Sequence, residues 1–378
     1  MQRAAGPAIA AASLVPTGEA GVLPAHLLKA MIGRGEIAAI EPIQPQQIQP
    51  ASIDLRLGAS AFRLRASFLP GRGHKVADRL ADIAMHEIDL TEGAVLETGC
   101  VYLVPLLECL NLPREISGLA NPKSSTGRID VFTRVLTDGA DEFDRIPGGY
   151  QGPLYAEICP RTFSVLARKG SRLGQARFKR GDAAIADAEL IRIQADEGLV
   201  ASEAPDIQSG IALSVDLTGD ASGLVGYRAK RHAGLIDVDR VGAYDPLDYW
   251  DPVYARSSRS IILDPNEFYI LASRESVRVP PAFAAEMVPF DPLVGEFRVH
   301  YAGFFDPGFG HAAAGGEGAR AVLEVRSHEV PFLLQHGQKV GRLIYERLLE
   351  LPQELYGGAT GAHYQAQGLK LSKHFKRV

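Results

Sequence analysis

The sequence predicts an all-β protein with a few short helices, built as two tandem copies of one domain. Three observations lead to this prediction. With 378 residues, the chain is about two ordinary domains long. Its 39 glycines and 24 prolines suit many short strands joined by turns. One residue pattern also returns at a fixed distance along the chain, which is the signature of an internal repeat.

The repeat is clearest in "VYLVPLLECLNLP" at Val101, which returns as "FYILASRESVRVP" at Phe268, 167 positions later (268 − 101). The same offset relates Tyr102 to Tyr269, Glu108 to Glu275, Pro113 to Pro280, Pro122 to Pro289, Glu157 to Glu324, Gly170 to Gly337 and Gly174 to Gly341. Upstream, "SIDLRLGAS" at Ser52 resembles "SVDLTGDAS" at Ser214, at an offset of 162 (214 − 52). We therefore expect a flexible arm at 1–20, a first domain at 21–200 and a second at 201–378 that carries a C-terminal tail.

The elements within each repeat are predicted from short apolar runs. A helix is expected near the start, at "PAHLLKAMIGRGEI", where apolar residues follow helical spacing and a glycine lies near the end. Strands are expected at "CVYLVPL", "PLYAEICP" and "TFSVLAR" in the first repeat, and at "FYILA", "AVLEVRS" and "VPFLLQ" in the second. These runs are rich in β-branched and aromatic residues and are bounded by Gly and Pro.

Composition and missing motifs exclude several classes of protein. A net charge of −5 argues against a general nucleic-acid binder, and no apolar run is long enough for a membrane span. Three scattered cysteines do not form a disulfide framework, so a cytoplasmic location is expected. The sequence contains neither H-x-E nor C-x-x-C, which zinc nucleobase deaminases need, and no Walker A, Rossmann or G-x-S-x-G motif.

One polar cluster stands out in "NPKSSTGRID", which holds Lys123, Ser124, Ser125 and Arg128. Asn, Pro, Ser and Gly are turn residues, so the stretch can be a solvated turn. Hydroxyl groups, backbone N–H groups and two cations would also suit a polyphosphate. Both interpretations remain open from this stretch alone.

The second candidate is a glutamate inside an apolar strand, Glu157 in the first repeat and Glu324 in the second. A lone glutamate in such a strand can simply face solvent by alternation. However, it recurs at one offset, a few residues after the glycine turns "FDRIPGGYQG" and "FFDPGFG". A carboxylate desolvated by strand neighbours has a raised pKa and can act as a general base.

These motifs together resemble the dCTP deaminases of the dUTPase-like superfamily. The first repeat contributes "LLKAMIGRGEI", "QPASIDLRLG", "NPKSSTGRIDV", "DRIPGGYQGPLYAEI" and "GQARF". The second contributes "FFDPGFG", "AVLEV" and the tail "YGGATGAHYQAQGLKLS". The resemblance implies a tandem dUTPase-like (β-clip) distorted barrel or jelly-roll domain. It also implies zinc-free hydrolytic deamination of dCTP to dUTP and ammonia, which supplies dUTP for thymidylate synthesis.

The resemblance also assigns roles to residues. Glu157, or its counterpart Glu324, matches the base that activates water for attack on C4. Ser124 and Arg128 match residues that orient the water and the glutamate. The positions that match substrate contacts are Lys123, Ser124, Ser125, Arg128, Arg145, Asp306, Tyr356, Tyr364 and Gln367. Mg²⁺ is expected on the substrate triphosphate, held through its own oxygens, and dTTP is implied as an inhibitor.

The chain departs from the family pattern in several places. The first repeat has Pro147 where an aspartate is usual before the glycine turn, whereas the second has Asp306. The second repeat has "PFDPLVGEF" where the first has "PKSSTGRID", so it lacks the hydroxyl cluster. His363 stands where a lysine is usual. Residues 232–253 have no counterpart, and we expect them to serve packing.

Family sites lie between subunits of a trimer, which leaves two arrangements. In one, a ring of first repeats is stacked on a ring of second repeats, and Ser124 and Arg128 of one chain serve Glu157 of the next. In the other, the repeats are neighbours, and Ser124 and Arg128 serve Glu324. Closed symmetry favours the first arrangement, because three-fold rings need equal interfaces.

Two other functions remain as alternatives. One is a dUTP diphosphatase, or a bifunctional enzyme that performs both steps, with Asp306 activating water for attack on phosphate. The other is a non-catalytic nucleotide-binding or assembly protein. Joint retention of Ser124, Arg128 and Glu157 argues against the latter.

Overall fold

The structure is a computed structural model that describes residues 18–289, 297–300, 303–327, 329–357 and 368–377. The predicted arm at 1–20 therefore lies largely outside the described residues, as do Phe290, Asp291 and Pro292 of "PFDPLVGEF". The tail residues His363, Tyr364 and Gln367 lie outside them as well.

The first repeat contains fourteen strands. They are β1 Gly21–Val22, β2 Ile37–Ala39, β3 Ile48–Gln49, β4 Ser52–Leu55, β5 Ser60–Leu64, β6 Ala84–Asp89, β7 Ala94–Leu96, β8 Val101–Asn111, β9 Ile116–Pro122, β10 Val131–Thr137, β11 Arg145–Ile146, β12 Gln151–Pro160, β13 Val165–Ala167 and β14 Gly174–Arg180.

Twelve further strands are described in the second repeat. They are β15 Ile211–Ser214, β16 Leu224–Ala229, β17 Ile236–Asp237, β18 Trp250–Tyr254, β19 Ser260–Leu263, β20 Phe268–Val277, β21 Phe283–Pro289, β22 Phe297–His300, β23 Phe304–Phe305, β24 Ala319–Ser327, β25 Phe332–Gln335 and β26 Lys339–Arg347.

The described helices are few and short. They are α1 Ala25–Gly33, α2 Val76–Ile83, α3 Ser124–Gly127, α4 Asp187–Glu197 and α5 Pro246–Tyr249, with 3-10 turns at Pro45–Gln47 and Ala312–Ala314. The first is the helix predicted near the start. The fold class, all-β with a few short helices, is confirmed.

Each repeat is built on two main sheets of largely antiparallel strands. In the first repeat, one sheet has the order β11-β9-β14-β4-β3 with β1 added to β14, and the other has β10-β12-β8-β5-β6 with β2 added to β8. In the second, the orders are β15-β26-β21-β23 and β18-β16-β20-β24-β22. The sheets β9-β14 and β21-β26 therefore correspond, as do β12-β8 and β24-β20.

Along the central strands, residues that are 167 positions apart occupy equivalent places in the two repeats. The backbone N–H of Glu97 donates to the Tyr102 hydroxyl at 3.0 Å, and that of Asp264 donates to the Tyr269 hydroxyl at 3.1 Å. Both members of the second pair lie 167 positions after those of the first (264 − 97 and 269 − 102).

The upstream match between Ser52 and Ser214 is not an equivalence. The Glu108 carboxylate accepts from the backbone N–H of Arg56 at 2.8 Å, and the Glu275 carboxylate accepts from that of Ser214 at 2.8 Å. Because the two glutamates are 167 positions apart (275 − 108), Ser214 takes the place of Arg56, at an offset of 158 (214 − 56). The predicted offset of 162 is wrong, because short strands of similar composition can be matched in more than one register.

Two large hydrophobic cores are centred on the two repeats. The first is built mainly from first-repeat residues between Leu23 and Phe178 but also takes in second-repeat residues such as Trp250 and Ile270, whereas the second begins at Ile185. Helix α4 precedes the predicted boundary at residue 200, yet its Leu190 and Ile193 are buried in the second core. The first-repeat part of the first core therefore ends at Phe178, and the second core starts at Ile185.

The insertion at 232–253 joins the second repeat to the first. Trp250 is fully buried, and its ring centroid lies 5.4 Å from that of Phe163, 6.1 Å from Phe268 and 5.9 Å from Phe375. Strand β17 of the insertion also pairs in parallel with β13 of the first repeat. The expected packing role is thus confirmed, and it links both repeats with the C-terminus.

Cys100, Cys109 and Cys159 are free thiols. Within the described ranges, the helices are too short or too polar to span a bilayer.

Candidate active site

The hydroxyl cluster, Lys123–Arg128, lies at the end of β9 and includes the single-turn helix α3. The backbone N–H groups of Thr126 and Gly127 donate to the Lys123 carbonyl at 2.8 and 3.0 Å. Ser125 and Arg128 are buried, whereas Lys123 and Ser124 are half-buried. We call this segment the hydroxyl loop. It is a compact turn whose polar groups are largely withdrawn from bulk solvent, and not a fully solvated one.

Glu324 of the second repeat faces this loop in the same chain. Arg128 Nε lies 3.8 Å from Glu324 Oε1, and both side chains are almost completely buried. Glu324 sits in the middle of β24, between Leu323 and Val325 of the second core. Burial raises its pKa to about 8, while the charge of Arg128 acts in the opposite direction. A buried carboxyl group with a pKa near the working pH is suited to accept and return a proton.

Glu157, the equivalent residue of the first repeat, has a different partner. It lies opposite Arg134 in the register of β12 and β10. Arg134 Nη2 donates to Glu157 Oε1 at 2.5 Å, and Arg134 Nε donates to the same oxygen at 3.2 Å. The guanidinium also stacks on Phe143, at 3.4 Å from the ring centroid. Glu157 is therefore held in an ion pair within its own repeat.

A second carboxyl group lies close to this ion pair. Burial raises the pKa of Asp144 to about 7, and both Arg134 and Glu157 act on it electrostatically. Its Oδ1 accepts from the backbone N–H of Val135 at 2.7 Å. Arg134 thus pairs with Glu157, the counterpart of Glu324, and also acts electrostatically on a second carboxyl group of the first repeat.

Lys123, expected to hold phosphate, pairs with Asp54 of β4. Asp54 is buried, and its second oxygen lies 3.5 Å from Arg172 Nη1. The lysine is thus fixed beside the hydroxyl loop with its charge partly balanced. A triphosphate would approach a site that contains Lys123, Arg172 and Arg128 together with one buried aspartate.

Asp306 lies at the glycine turn of the second repeat. The turn uses left-handed backbone at Gly308 (φ 94°), as the first repeat does at Gly149 (φ 75°). Arg145 pairs with Leu119 and Phe304 with Glu286, and these partners are 167 residues apart (286 − 119). Two residues further along each turn, Pro147 therefore corresponds to Asp306, as predicted.

The Asp306 carboxylate is buried and is held by Arg177, whose Nη2 donates to Oδ1 at 3.3 Å. Burial raises its pKa, and Lys123 and Asp54 act on it electrostatically. Asp306 is therefore near the hydroxyl loop but belongs to an ion-pair network between the repeats. That network also includes Glu346, at 3.9 Å from Arg177 Nη1.

The remaining predicted residues are distributed more widely. Arg145 is exposed and pairs with Glu142 at 2.7 Å, so the structure does not bring it to the hydroxyl loop of its own chain. Tyr356 packs on Phe309 with ring centroids 5.6 Å apart, and its N–H donates to the Pro307 carbonyl at 2.8 Å. It therefore borders the turn that carries Asp306.

Several residues at the site were not predicted. Asp54 and Arg177 lie in "QPASIDLRLG" and "GQARF", so those motifs held a usable signal. Ser372 is the last residue of the tail motif "YGGATGAHYQAQGLKLS", whereas His374 lies two residues beyond it and had no sequence signal. Ser372 Oγ donates to the Ser125 carbonyl at 2.7 Å and lies 2.9 Å from His374 Nδ1. Among the residues that the structure describes, no group of three or more His, Cys, Asp or Glu side chains is arranged to hold a metal ion.

Comparison with known families accounts for nearly the whole chain. Residues 19–182 match the model of the 2'-deoxycytidine 5'-triphosphate deaminase N-terminal domain, and residues 186–375 match that of the C-terminal domain. The chain belongs to the dCTP deaminase family. The two family domains meet between residues 182 and 186, where the hydrophobic cores also change over.

Relatives of the dCTP deaminase family fit this assignment. The crystal structure of 2'-deoxycytidine 5'-triphosphate deaminase from Agrobacterium tumefaciens is 58% identical, with a TM-score of 0.84, and the match covers 87% of this chain and 99% of that one. A "dCTP deaminase, dUMP-forming" from Beutenbergia cavernae is 30% identical over 153 residues, 38% of this chain and 74% of its own. A dCTP deaminase from Natronomonas pharaonis is 28% identical over 156 residues, 40% of this chain and 76% of its own. The predicted dUTPase-like fold is confirmed by these matches.

Proposed function

We propose that this dCTP deaminase family enzyme hydrolyses dCTP to dUTP and ammonia, with Glu324 as the general base and Arg128 as its charged partner. The observation that carries the proposal is the buried contact of 3.8 Å between Arg128 and Glu324, contributed by different repeats of one chain. It supports the second of the two predicted arrangements. Glu157 is engaged by Arg134 and has no such role in this proposal.

The reaction uses the Glu324 carboxylate to remove a proton from water as the water oxygen bonds to C4 of cytosine. The carboxyl group passes that proton to N3 of the ring, then takes the remaining proton from the new hydroxyl group on C4 and delivers it to the amino group. The C4–N bond breaks, ammonia leaves and the C4 carbonyl of uracil forms. Arg128 holds the carboxylate in place and stabilises its charged form, and Ser124 orients the water.

The hydroxyl loop holds the triphosphate in this proposal. Ser124, Ser125 and Lys123 lie at the loop, and Arg172 is close to Lys123 through Asp54. Mg²⁺ enters on the triphosphate oxygens as part of the substrate. We also propose that no zinc takes part, because the sequence lacks the H-x-E and C-x-x-C motifs of zinc deaminases. The product would supply dUTP for thymidylate synthesis.

The test compares Glu324→Gln with Glu157→Gln as a matched control on the equivalent strand. Ammonia release from dCTP with Mg²⁺ is measured for both variants and for the wild type. We expect Glu324→Gln to reduce kcat by about 10²–10⁴-fold, the range usual for a general base. Glu157→Gln should stay within about threefold of wild type. If Glu157→Gln alone abolished turnover, the assignment of Glu324 would be wrong.

A bifunctional enzyme is the second candidate. Asp306 lies within electrostatic range of Lys123, where a phosphate would bind, and the Beutenbergia cavernae relative is named as dUMP-forming. Chromatography separates the two functions, since dUTP alone indicates deamination and dUMP with pyrophosphate indicates both steps. If dUMP forms, Asp306→Asn should convert the product to dUTP while ammonia release continues.

A further inference from the structure

The C-terminal residues 370–376, which we call the C-terminal clamp, lie directly on the hydroxyl loop. Arg128 Nη1 donates to the Lys370 carbonyl at 3.1 Å. Ser372 Oγ donates to the Ser125 carbonyl at 2.7 Å, and both residues are buried. The clamp therefore contacts the loop within α3, at Ser125, and directly after it, at Arg128.

The clamp is fixed on its other side by the insertion at 232–253. His374 Nε2 lies 2.9 Å from the Val238 carbonyl oxygen, and its Nδ1 lies 2.9 Å from Ser372 Oγ. The backbone N–H groups of Gly242 and Ala243 donate to the carbonyls of Lys373 and His374, each at 2.9 Å. Because a neutral His374 that donates from Nε2 to the Val238 carbonyl can only accept at Nδ1, the single hydroxyl hydrogen of Ser372 is shared between His374 Nδ1 and the Ser125 carbonyl. These contacts connect an insertion of the second repeat to a loop of the first.

Ion pairs hold the insertion itself in place. Arg168 of the first repeat donates to Asp237 at 2.8 Å and to Asp239 at 2.6 Å, and Ser171 Oγ donates to Asp239 at 2.6 Å. The insertion is therefore a fixed support for His374.

The imidazole of His374 is neutral near pH 7. Burial lowers its pKa to about 4, with Lys373 acting in the same direction and Asp239 and Asp237 against it. It does not change charge over the range in which Glu324 titrates. A change in the pH profile on removal of Ser372 is therefore not expected to come from titration of His374.

Helix α3 needs an external contact to hold its position. A single turn of four residues is not stable alone, because helix nucleation is unfavourable. Ser372 satisfies a carbonyl of that turn, and Lys370 accepts from Arg128, the residue that faces Glu324. Movement of this turn would change the distance between Arg128 and Glu324.

We propose that Ser372 and His374 are positioning residues for deamination, which act through the Ser125 carbonyl to hold Arg128 against Glu324. The inference rests on the proposed role of Glu324. It assigns a role to the insertion as well, which is to supply the fixed end of this hydrogen-bonded chain.

The test uses Ser372→Ala and a control, Tyr244→Phe. The Tyr244 hydroxyl accepts from the Asp237 N–H at 2.6 Å, so the control removes one hydrogen bond from the same support without touching the loop.

We expect Ser372→Ala to lower kcat about 5- to 20-fold with KM within about threefold. The midpoint of the rise of kcat/KM with pH should also move upward, because Arg128 no longer favours the ionised form of Glu324. Tyr244→Phe should lower only the unfolding midpoint.

A double-mutant cycle makes the test stricter. Because Ser372 and His374 lie in one hydrogen-bonded chain, the losses in kcat for Ser372→Ala and His374→Ala should not multiply when combined. Combining Tyr244→Phe with Ser372→Ala should leave kcat at the value of Ser372→Ala alone, because Tyr244→Phe is expected to change only stability. If Ser372→Ala behaves like Tyr244→Phe in kcat and pH profile, the positioning role is overturned. If Glu324→Gln retains wild-type activity, the proposed general base is wrong instead, so the two failures are distinguishable.

Discussion

Glu157, which is buried, and Arg134, which is partly exposed, form an ion pair across β12 and β10, with 2.5 Å between Oε1 and Nη2, whereas the equivalent Glu324 faces Arg128 from the other repeat at 3.8 Å. The two glutamates occupy the same strand position 167 residues apart (324 − 157). The different arginine partners therefore distinguish Glu157, a candidate structural carboxylate, from Glu324, the candidate general base.

Replacing Glu157 should affect stability and not chemistry. Glu157→Gln keeps an acceptor for Arg134 but removes the charge that balances it, which should cost about 1–3 kcal/mol of unfolding free energy. Urea unfolding measures this loss. An unchanged unfolding free energy would show that the pair with Arg134 does not stabilise the first repeat.

Glu324 should make stability depend on pH. Its folded pKa is about 8, above its ordinary value of 4.5, so the folded protein keeps a proton that the unfolded chain releases between those values. This contribution to stability is fully present below pH 4.5 and is lost as the pH rises through about 8.

We therefore expect Glu324→Gln, which cannot ionise, to equal wild type near pH 5 and to exceed it by about 2–4 kcal/mol at pH 9. Urea unfolding across this range is the measurement. Asp144→Asn, the analogous change at a group with a pKa of about 7, should show its gain about one pH unit earlier. Parallel stability curves for wild type and Glu324→Gln would contradict the raised pKa.

Substitution of Arg177 should lower the unfolding free energy more than most substitutions between the repeats. It is buried, and it contacts the carboxylates of Asp306 and Glu346 and the Ala285 carbonyl. Arg177→Ala leaves two carboxylates without their buried partner, and we expect a loss of about 3–5 kcal/mol in unfolding free energy.

Lys179→Ala provides a matched control for Arg177, since Lys179 also pairs with Glu346, at 2.9 Å. Lys179 is about one-third exposed, so its removal should cost at most about 1 kcal/mol. Equal losses of unfolding free energy for the two variants would mean that burial does not increase the contribution of Arg177 to stability.

Trp250 should stabilise the packing of the insertion against the first repeat and the C-terminal clamp. Trp250→Ala opens a cavity among Phe163, Phe268 and Phe375, and we expect a loss of about 3–5 kcal/mol. Trp250→Phe should cost clearly less, because it keeps an aromatic ring and removes a buried indole N–H that has no hydrogen-bond acceptor among the described residues. Thermal unfolding of both variants tests this order.

The sequence allowed the fold to be predicted because its signals are local. Short apolar runs bounded by Gly and Pro mark the strands, and the 167-residue offset marks the duplication. The upstream offset failed because "SIDLRLG" and "SVDLTGD" look alike, while the carboxylates of Glu108 and Glu275 fix a different register. Local likeness does not decide which residues pair across strands.

The site was predicted in its residue types but not in its connections. Glu157 and Glu324 stand in similar apolar strands, and only contacts with Arg134 and Arg128 distinguish them. Symmetry arguments about rings favoured Glu157 of the next chain as the partner of Arg128, but they say nothing about how two linked repeats pack, and within the chain Arg128 lies beside Glu324. Ser372 lies 247 residues from Ser125, and the tail motif that ends at Ser372 does not specify which group of the hydroxyl loop it contacts.

The position of Arg128 and Glu324 in one polypeptide has a consequence for how the enzyme responds to concentration. A pair of groups linked by a continuous chain meets at an effective concentration set by that chain, not by the amount of protein in solution. Dilution therefore does not separate them, and specific activity that depends on this pair is expected to stay constant as the protein is diluted. Because one polypeptide carries both repeats, a site residue that one repeat lacks can be contributed by the other repeat.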